Sequence, residues 1–385
     1  MLPHKNCGEQ MQELTVLDTP ATRLQGMELS DGWIVEELIA CGRGGTHADC
    51  SGGTYSVAYR VRKGNSVAFL KALDLDSVIT DDGDDDFVDS INRATQAFGD
   101  ERQLNELCAK SRMRQVVTIL GHGTVKVDRK PEDHVPRVAY LILELADGGD
   151  VRSHITQTSN TDYAKKFSYL KDVLLGIGQL HNEEISHQDL KPSNVMVFSQ
   201  FGAKVGDLGR ATIKGYGRGA FEQDSIAGDY GYAPPEQLYG HVPTEWIDRR
   251  QRADLYQFGS LVCFLVLGFT VNALIKERLP AAVGPKHWFP DQAGGSSYTQ
   301  ALPYLESAFY EGLQDCKMTL PAWAADKVVS LISQCSNPDY SKRGAKQLLG
   351  NAGLGLGLNR FISALENLRT EAKKQAILEG RRQSI

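Results

Sequence analysis

The sequence predicts an α+β fold with a small β-rich lobe followed by a large helical lobe. Short runs of β-branched and aromatic residues, separated by glycine-rich turns, fill the first third of the chain and indicate strands. Apolar residues at helical spacing dominate the part that follows Gly149. With 385 residues, the chain is long enough for one large two-lobed domain or for two ordinary domains.

Composition and net charge limit the kinds of molecule that the protein is expected to bind. Hydrophobic residues make up 41% of the chain, which is enough for a sizeable core. The net charge of −6 argues against nucleic acid or an anionic membrane surface as the main partner. The seven cysteines form no CxxC pair, so we expect reduced thiols in a cytoplasmic protein, with Cys263 buried in an apolar run. A disulfide between Cys41 and Cys50 is the alternative, which that compartment opposes.

Neither a leader peptide nor a membrane span is expected. The first ten residues, MLPHKNCGEQ, lack the basic and apolar regions of a secretory signal. The most apolar segment, Leu255–Val271, is shorter than the ~20 residues of a typical membrane helix and contains Gln257 and Ser260. This segment is therefore predicted to be a buried core helix.

Five strands and one helix are predicted in the first lobe, after an N-terminal lead-in over residues 1–31. Residues 1 to about 25 of this lead-in show no clean period and are expected to be loosely held. The helix covers Phe87–Lys110, where apolar residues recur at helical spacing. The acidic stretch Asp81–Asp86 predicts a solvated loop; a Ca²⁺ site is the alternative, but the ligand order of an EF-hand and its closing Glu are missing. The strand-like runs read WIVEELIA, TYSVAYRV, SVAFLKAL, VVTILGHGTVKV and VAYLILELA.

Helices dominate the second lobe. Long helices are predicted over Tyr163–His181, Leu255–Phe269 and Arg360–Gln383, the last of which is rich in charge. A hinge is predicted near residues 144–150, because the strand-like character ends there. The glycine-rich stretch Gly42–Gly45 predicts an insertion within the first lobe.

One segment of the second lobe concentrates polar groups between apolar runs. Ile185–Val197 reads ISHQDLKPSNVMV and places an Asp, a Lys and an Asn within six residues, and VGDLGRA follows with Asp207. Phosphoryl transfer needs an acid to orient a hydroxyl, a cation for phosphate charge and oxygen ligands for a divalent metal. An Asn amide oxygen and carboxylates are hard ligands that suit Mg²⁺. The segment therefore indicates phosphoryl transfer.

These residues resemble the eukaryotic-type, or Hanks-type, protein kinase family. HQDLKPSN is similar to the catalytic loop of that family, and DLG is similar to its DFG metal motif. The resemblance covers roughly residues 32–348 and implies a protein-kinase-like two-lobed fold with ATP between the lobes. It implies an N-lobe at 32–144, a hinge at 144–150, a C-lobe at 151–348 and a helical tail at 349–385.

The resemblance also assigns the groups that act on the transferred phosphate. Asp189 matches the base that takes the proton of the substrate hydroxyl. Lys191 matches the lysine that stabilises the transferring phosphoryl group in the Ser/Thr type. Asn194 and Asp207 match the ligands of Mg²⁺, with Mn²⁺ as an alternative metal.

ATP contacts are implied farther upstream. VAFLKAL carries the lysine of the α- and β-phosphates, Lys71, and FGDERQLNELC carries its acid partner Glu101, with Glu106 as the alternative. The loop SGGTYSVAYRV would cover the phosphates, although serines replace two of the family's three glycines. The other implied ATP contacts are Ser51, Gly53, Ser56 and Ala58 in the loop region, and Glu144, Ala146 and Asp150 at the hinge, with Leu143 as gatekeeper.

Four further residues are predicted to be structural, three of them because they match structural residues of the family. His187 is interpreted as a buried histidine that braces the catalytic loop, with a role as general base as the alternative. Glu236 in YAPPEQ matches the glutamate of the APE motif, and Arg343 in NPDYSKRGA matches the arginine that pairs with it. Asp254 in RADLYQFG matches the aspartate that opens the large central helix.

Two departures from the family pattern bear on the catalytic loop. Gln188 replaces the arginine that usually binds a phosphate on the activation loop, so we hypothesise that phosphorylation of that loop is not the on-switch. Asp229 stands where Ser/Thr kinases usually have threonine. Its carboxylate is able to accept a hydrogen bond from Lys191, but it would repel Asp189.

Two other departures concern apolar packing. Phe69 stands where the family has alanine over adenine, and Ala58 stands where it has valine. Because the two volumes change in opposite directions, we expect the roof of the adenine site to be repacked rather than lost. Leu208 replaces the phenylalanine of the DFG motif and keeps its apolar character.

The implied activity is transfer of the γ-phosphate of ATP to Ser or Thr hydroxyls of protein substrates, with autophosphorylation. A pseudokinase that binds ATP or acts as a scaffold is the alternative, which the degenerate glycine loop and Asp229 favour and the intact Lys71, Asp189 and Asp207 oppose. A small-molecule kinase of related fold is a second alternative, but the stretch around Glu236 is typical of protein kinases.

Overall fold

A computed structural model describes residues 18–41, 55–80, 86–157, 162–215, 226–288, 296–346 and 355–382. The chain divides into two compact units. The first unit comprises residues 1–95 and 119–145, and the second comprises residues 96–118 and 146–385. The last change of unit along the chain therefore falls between Leu145 and Ala146, inside the segment predicted as a hinge.

The first unit contains a five-stranded sheet in which every neighbouring pair is antiparallel. The strand order is β1-β2-β3-β5-β4, so the last two strands are exchanged relative to their order in the chain. All five predicted strands are confirmed. Their bounds are β1 (Ile34–Cys41), β2 (Ser56–Lys63), β3 (Ser66–Leu73), β4 (Ile119–Lys126) and β5 (Arg137–Glu144).

Residues before the sheet belong to the core of the first unit. Leu24, Leu29 and Trp33 are buried together with sheet residues such as Leu70. The Tyr59 hydroxyl donates a hydrogen bond of 2.8 Å to the Ala21 carbonyl. The expectation that residues 1 to about 25 are loosely held is therefore wrong for the described residues 18–25. Their apolar side chains are buried one by one, without the period of a helix or strand that would have predicted it.

Two helices accompany the sheet in the chain, α1 (Leu75–Ile79) and α2 (Phe87–Lys110). The bounds of α2 agree with the predicted helix. Asp86 caps its start, since one carboxylate oxygen accepts the Val88 N–H at 2.9 Å. The rest of the predicted acidic loop, residues 81–85, lies outside the described residues, as do Gly42–Gly45 and Cys50.

The second unit is mainly helical, as predicted. In its described part, four short strands form two antiparallel pairs, β6 with β9 and β7 with β8. The strands are β6 (Ile185–Ser186), β7 (Val195–Phe198), β8 (Gly202–Val205) and β9 (Thr212–Ile213). The helices are α3 (Val151–Gln157), α4 (Tyr163–Asn182), α5 (Pro235–Leu238), α6 (Arg252–Leu267), α7 (Val271–Lys276), α8 (Tyr298–Thr319), α9 (Ala322–Cys335) and α10 (Leu358–Arg382).

Helix α6 forms the centre of the second core. Leu255, Phe258 and Leu261 have no exposed surface, and the Cys263 side chain is also fully buried. Burial around most of its circumference is typical of a core helix, as predicted. In the described part of the chain, no helix combines the length and the apolar character that crossing a membrane requires.

Helix α10 is part of the same core and packs against α4 and α9. Phe361, Leu365 and Leu368 of α10 are buried in it. Lys171 of α4 and Glu366 of α10 form an ion pair of 3.2 Å. The C-terminal segment predicted as a tail therefore stabilises the second unit through apolar burial.

Candidate active site

The β7–β8 hairpin brings two of the predicted metal ligands to one end of a small sheet. Val195 pairs with Val205, so the residues just outside this pair are Asn194 and Gly206. The Gly206 N–H donates to the Asn194 carbonyl at 2.9 Å and extends the ladder by one step. Asp207 follows directly, with a positive φ of 55° that turns the chain away from the strand.

Asp189 is held by two side chains of its own loop and by one backbone group from farther along the chain. The Asn194 side-chain Nδ2 donates to the Asp189 carbonyl at 2.8 Å and to its carboxylate Oδ2 at 3.1 Å. Lys191 Nζ lies 3.1 Å from the same Oδ2. The Asp229 N–H donates to Oδ1 at 2.8 Å. These bonds hold both oxygens of the carboxylate and fix the orientation of the side chain.

The Asp229 carboxylate has favourable contacts that reduce its expected repulsion of Asp189. Its Oδ1 accepts the Gly231 N–H at 2.7 Å, and its Oδ2 lies 3.8 Å from Lys191 Nζ. Lys191 therefore lies close to both carboxylates, which offsets their mutual repulsion. The backbone of Asp229, rather than its side chain, contacts Asp189.

Asp254, at the start of α6, anchors the backbone of the catalytic loop. Its carboxylate accepts the N–H groups of His187 and Gln188 at 2.9 and 2.8 Å and the Ser186 hydroxyl at 2.9 Å. His181 Nε2 lies 2.8 Å from the same carboxylate. Burial opposes its charge, but the hydrogen bonds and the neighbouring histidines hold the Asp254 pKa below its ordinary value of 3.8.

Replacing Asp254 with Asn is expected to destabilise the second unit by about 1–3 kcal/mol, since backbone donors in the buried site lose an acceptor. A carboxyl group whose pKa is lowered on folding stabilises the fold at pH values above its ordinary pKa. This contribution is lost as the pH falls through the lowered pKa. The difference in unfolding free energy between wild type and Asp254→Asn should thus be constant above about pH 5 and shrink only below 3.8. Denaturant unfolding at several pH values measures it; a difference that vanishes already near pH 6 would contradict the assignment.

His187 connects the catalytic loop to the segment that carries Asp207. Its ring is fully buried, and Nε2 lies 3.0 Å from the Gly206 carbonyl. The Asp189 N–H donates to Nδ1 at 3.2 Å. Because Nδ1 accepts, the geometry assigns the ring proton to Nε2, which donates to Gly206.

Glu101 lies beside the turn that follows Asp207. Its side chain is buried, whereas the alternative, Glu106, is exposed. A Cβ atom placed on Gly209 would lie 3.4 Å from Glu101 Oε2 and 3.2 Å from Asp207 Oδ1. Glycine at position 209 therefore leaves room for both carboxylates.

Glu236 and Arg343 form a buried, two-pronged ion pair. Two bonds join them, NH1 to Oε1 at 2.7 Å and NH2 to Oε2 at 2.6 Å, and both side chains are at most 1% exposed. The guanidinium also lies over the Tyr256 ring, 4.7 Å from its centroid. Burial alone would lower the Arg343 pKa, but the Glu236 carboxylate raises it above its ordinary value. The pair joins α5 to the segment after α9.

The sheet register of the first unit places Lys71 in a defined row. Lys71 of β3 pairs with Ala58 of β2 and with Leu141 of β5. Directly paired residues share one face of a sheet. Phe69 lies in the next row on this face, with Arg60 and Leu143 as its partners.

The same register gives the positions of other ATP contacts that were predicted in the first unit. Ala58 and Phe69 are diagonal neighbours on one face of the sheet. The smaller residue at position 58 and the larger one at position 69 are therefore close enough to compensate for each other in volume. Ser56 lies two residues before Ala58 and is buried. Glu144 ends β5 opposite Ala68. Ser51 and Gly53 lie outside the described residues.

Asp150, one of the ATP contacts predicted at the hinge, caps α3. One carboxylate oxygen accepts the Ser153 N–H at 2.9 Å and the other accepts the Ser153 hydroxyl at 3.1 Å. Ala146 precedes it in a turn closed by the Gly149 N–H, which donates to the Ala146 carbonyl at 3.2 Å. Gly148 lies against Val197 of β7, so that a Cβ there would be 2.7 Å from the valine side chain.

Three residues of the site were missed by the sequence analysis. Gly228 packs against Asp189, because a Cβ at position 228 would lie 2.7 Å from Asp189 Oδ1. Gln257 accepts the Leu190 N–H at 2.9 Å and donates to the Gln188 carbonyl at 2.7 Å. Its position three residues after Asp254 on α6 was the available signal, since residues i and i+3 share a helix face. Arg250 contacts Gln188 without a local sequence signal.

The fold and the arrangement around Asp189 define a class of protein, and comparison of the sequence with known families agrees. The sequence matches the protein kinase domain family over residues 94–351, more than half of the chain. The chain therefore belongs to the protein kinase domain family. The matched range includes Glu101 and the catalytic loop, and it begins after Lys71.

Curated proteins that this chain resembles include receptor kinases. It is 25% identical over 215 residues to LysM domain receptor-like kinase 10 of Oryza sativa subsp. japonica, covering 54% of this chain and 33% of that protein. It is 30% identical over 149 residues to the Putative L-type lectin-domain containing receptor kinase V.8 of Arabidopsis thaliana, covering 37% and 22%. Receptor protein-tyrosine kinase CEPR2 of Arabidopsis thaliana is 28% identical over 137 residues, covering 34% and 13%. The chain thus spans a third or less of the length of these relatives.

Proposed function

We propose that this protein is an ATP-dependent protein kinase that transfers the γ-phosphate to Ser or Thr hydroxyls of protein substrates and to itself. The observation that supports this proposal most strongly is the set of contacts that fix the Asp189 carboxylate. An amide, an ammonium and a backbone N–H fix both of its oxygens within the second unit. Membership of the protein kinase domain family supports the same activity.

Asp189 acts as the acceptor for the proton of the substrate hydroxyl in this proposal. Lys191 and Asn194 hold its Oδ2 in place, so the carboxylate orients the hydroxyl and receives the proton as the oxygen attacks phosphorus. Lys191 Nζ, 3.1 Å from Asp189, is also the cation that balances charge on the transferred phosphoryl group.

Asn194 and Asp207 are proposed to hold Mg²⁺. Because Nδ2 of Asn194 donates to Asp189, its amide oxygen is directed away from that residue and is suited to a hard cation. The Asp207 carboxylate is a ligand of the same class, and the β7–β8 ladder holds both residues at one end. When bound, Mg²⁺ would neutralise phosphate charge and align the γ-phosphate. Mn²⁺ is the alternative metal.

ATP binding is proposed to use Lys71 for the phosphates, with Glu101 as its acid partner, together with the other ATP contacts assigned by the resemblance. The burial of Glu101 supports its choice over the exposed Glu106. We further propose that the protein acts in the cytoplasm on protein substrates.

Mass spectrometry of phosphosites after incubation with ATP and Mg²⁺ tests the proposed specificity. Wild type should gain phosphoserine or phosphothreonine, and Asp189→Asn should gain at most about a hundredth as much at the same concentrations and in the same time. Asp326→Asn is a matched control, because the Asp326 side chain is 81% exposed and should behave as wild type. Phosphotyrosine alone in the wild-type sample would contradict the Ser/Thr assignment.

A pseudokinase is the second candidate, and the Asp229 carboxylate beside Lys191 is the feature that favours it. This carboxylate competes with Asp189 and with phosphate for the same ammonium. Tight binding of ATP by wild type without phosphate transfer to any protein would favour the pseudokinase over the kinase.

A further inference from the structure

Gln188 is fixed more firmly than any sequence pattern suggests. Its φ of 65° is left-handed, a conformation that costs a residue with a side chain about 1 kcal/mol or more. Two backbone bonds hold it there, since its N–H donates to Asp254 Oδ1 at 2.8 Å and its carbonyl accepts from Gln257 Nε2 at 2.7 Å. Both partners lie on α6, the central helix of the second unit.

The side chain of Gln188 joins two further segments. Its Nε2 donates to the Arg210 carbonyl at 2.7 Å, three residues after Asp207. Its Oε1 accepts a hydrogen bond from Arg250 NH1. Arg250 is only 2% exposed and belongs to a π-helical turn, Ile247–Gln251, that leads directly into α6. The primary amide is suited to this place because it donates at one end and accepts at the other.

We propose that Gln188 is a positioning residue that ties the segment Asp207–Arg210 to the catalytic loop and to α6 through Arg250. The bridge needs no charge on the activation loop, because the buried guanidinium of Arg250 already satisfies the amide oxygen. This inference rests on the proposed kinase activity. It extends that activity by naming what orders the metal-binding turn in a chain without the family's arginine at position 188.

Arg250 also explains why position 188 is neutral in this chain. An arginine there would place a second guanidinium against a buried one, and two buried cations repel strongly. Gln188→Arg should therefore lower the melting temperature of the protein. The double variant Gln188→Arg with Arg250→Gln exchanges the donor and the acceptor, and it should regain most of the loss.

The kinetic test uses Gln188→Glu, which keeps an oxygen for Arg250 but places a carboxylate oxygen against the Arg210 carbonyl. We expect about a 10-fold lower kcat and a half-saturating Mg²⁺ concentration raised by about 10-fold, since one hydrogen bond of the bridge is replaced by repulsion. The melting temperature should stay unchanged, because the new carboxylate forms a charge-assisted pair with Arg250 that offsets the lost bond. Excess Mg²⁺ should restore part of kcat. A merely structural role would lower stability and leave the Mg²⁺ dependence unchanged.

Gln251→Glu is the matched control, because it makes the same chemical change one residue after Arg250. Gln251 Nε2 donates only a long bond of 3.3 Å to the His181 carbonyl, so Mg²⁺ dependence should stay as in wild type. Wild-type kcat and wild-type Mg²⁺ dependence in Gln188→Glu would overturn the inference and leave the proposed activity intact.

Hydrogen exchange tests the same bridge without relying on catalysis. In Gln188→Glu, backbone amides of residues 208–211 should exchange at least about 10-fold faster than in wild type, while those of α9 remain unchanged. Unchanged exchange at these residues would overturn the inference even if phosphate transfer by wild type is never observed. Faster exchange in a protein that transfers no phosphate would support the bridge and contradict the kinase proposal.

Discussion

Replacing Gly228 with alanine is expected to lower the rate of phosphate transfer by about 100-fold or more, because a displacement of the reacting groups by 1 Å has that effect. The added Cβ would lie 2.5 Å from the Gln188 carbonyl, 2.7 Å from Asp189 Oδ1 and 3.0 Å from Asp189 Cα. Two of these are backbone atoms of a buried loop, so the loop has to shift. Steady-state kinetics with a protein substrate measures the loss.

Gly99→Ala provides the matched control for this substitution. A Cβ at position 99 meets no atom within 4 Å, and the residue lies inside α2. Alanine there should leave the rate unchanged and stabilise the helix by about 0.5–1 kcal/mol. Full activity in Gly228→Ala would show that the backbone around Asp189 is not constrained as described.

Replacing Arg343 with methionine is expected to lower the unfolding free energy by about 3–5 kcal/mol, because Glu236 would remain as a buried charge without its partner. The two side chains are 0% and 1% exposed, so water cannot replace the lost bonds without rearrangement. Urea unfolding monitored by tryptophan fluorescence measures the difference.

The double variant Glu236→Leu with Arg343→Met separates the loss of the pair from the cost of the orphaned charge. It should recover part of the stability, since an apolar pair often replaces a buried ion pair with little loss. Recovery should remain incomplete, because Arg343 Nε also donates to the Asn337 carbonyl at 2.7 Å. A single variant as stable as wild type would contradict the account of this pair.

Local patterns were sufficient to predict most of the elements. The observed bounds of α2, Phe87–Lys110, agree with the prediction because its helical period and its capping residue Asp86 are both local signals. The five strands were predicted from β-branched and aromatic runs, which pack well on a pleated sheet. The described residues before β1 were not predicted as core, since Leu24 and Leu29 follow no period.

The candidate site was predictable only where its residues follow one another in the chain. Asp189, Lys191 and Asn194 lie within a short segment, and their spacing carries the signal. Arg250 lies 62 positions from Gln188, and a contact over that separation depends on the packing of α6 rather than on a local pattern. Gly228 gave no signal because the close approach to Asp189 exists only once the two loops meet.

Transfer of radiolabelled γ-phosphate from ATP to a protein acceptor, by wild type and by Asp189→Asn, tests the central claim most directly. With ATP and Mg²⁺ at saturation, wild type should transfer phosphate, and Asp189→Asn should be slower by about 100-fold or more, the usual contribution of a positioned proton acceptor. ATP affinity should change little, because Asp189 acts on the hydroxyl and not on the nucleotide. Equal rates in the two proteins, or no transfer by wild type, would contradict the assignment of this site to phosphoryl transfer.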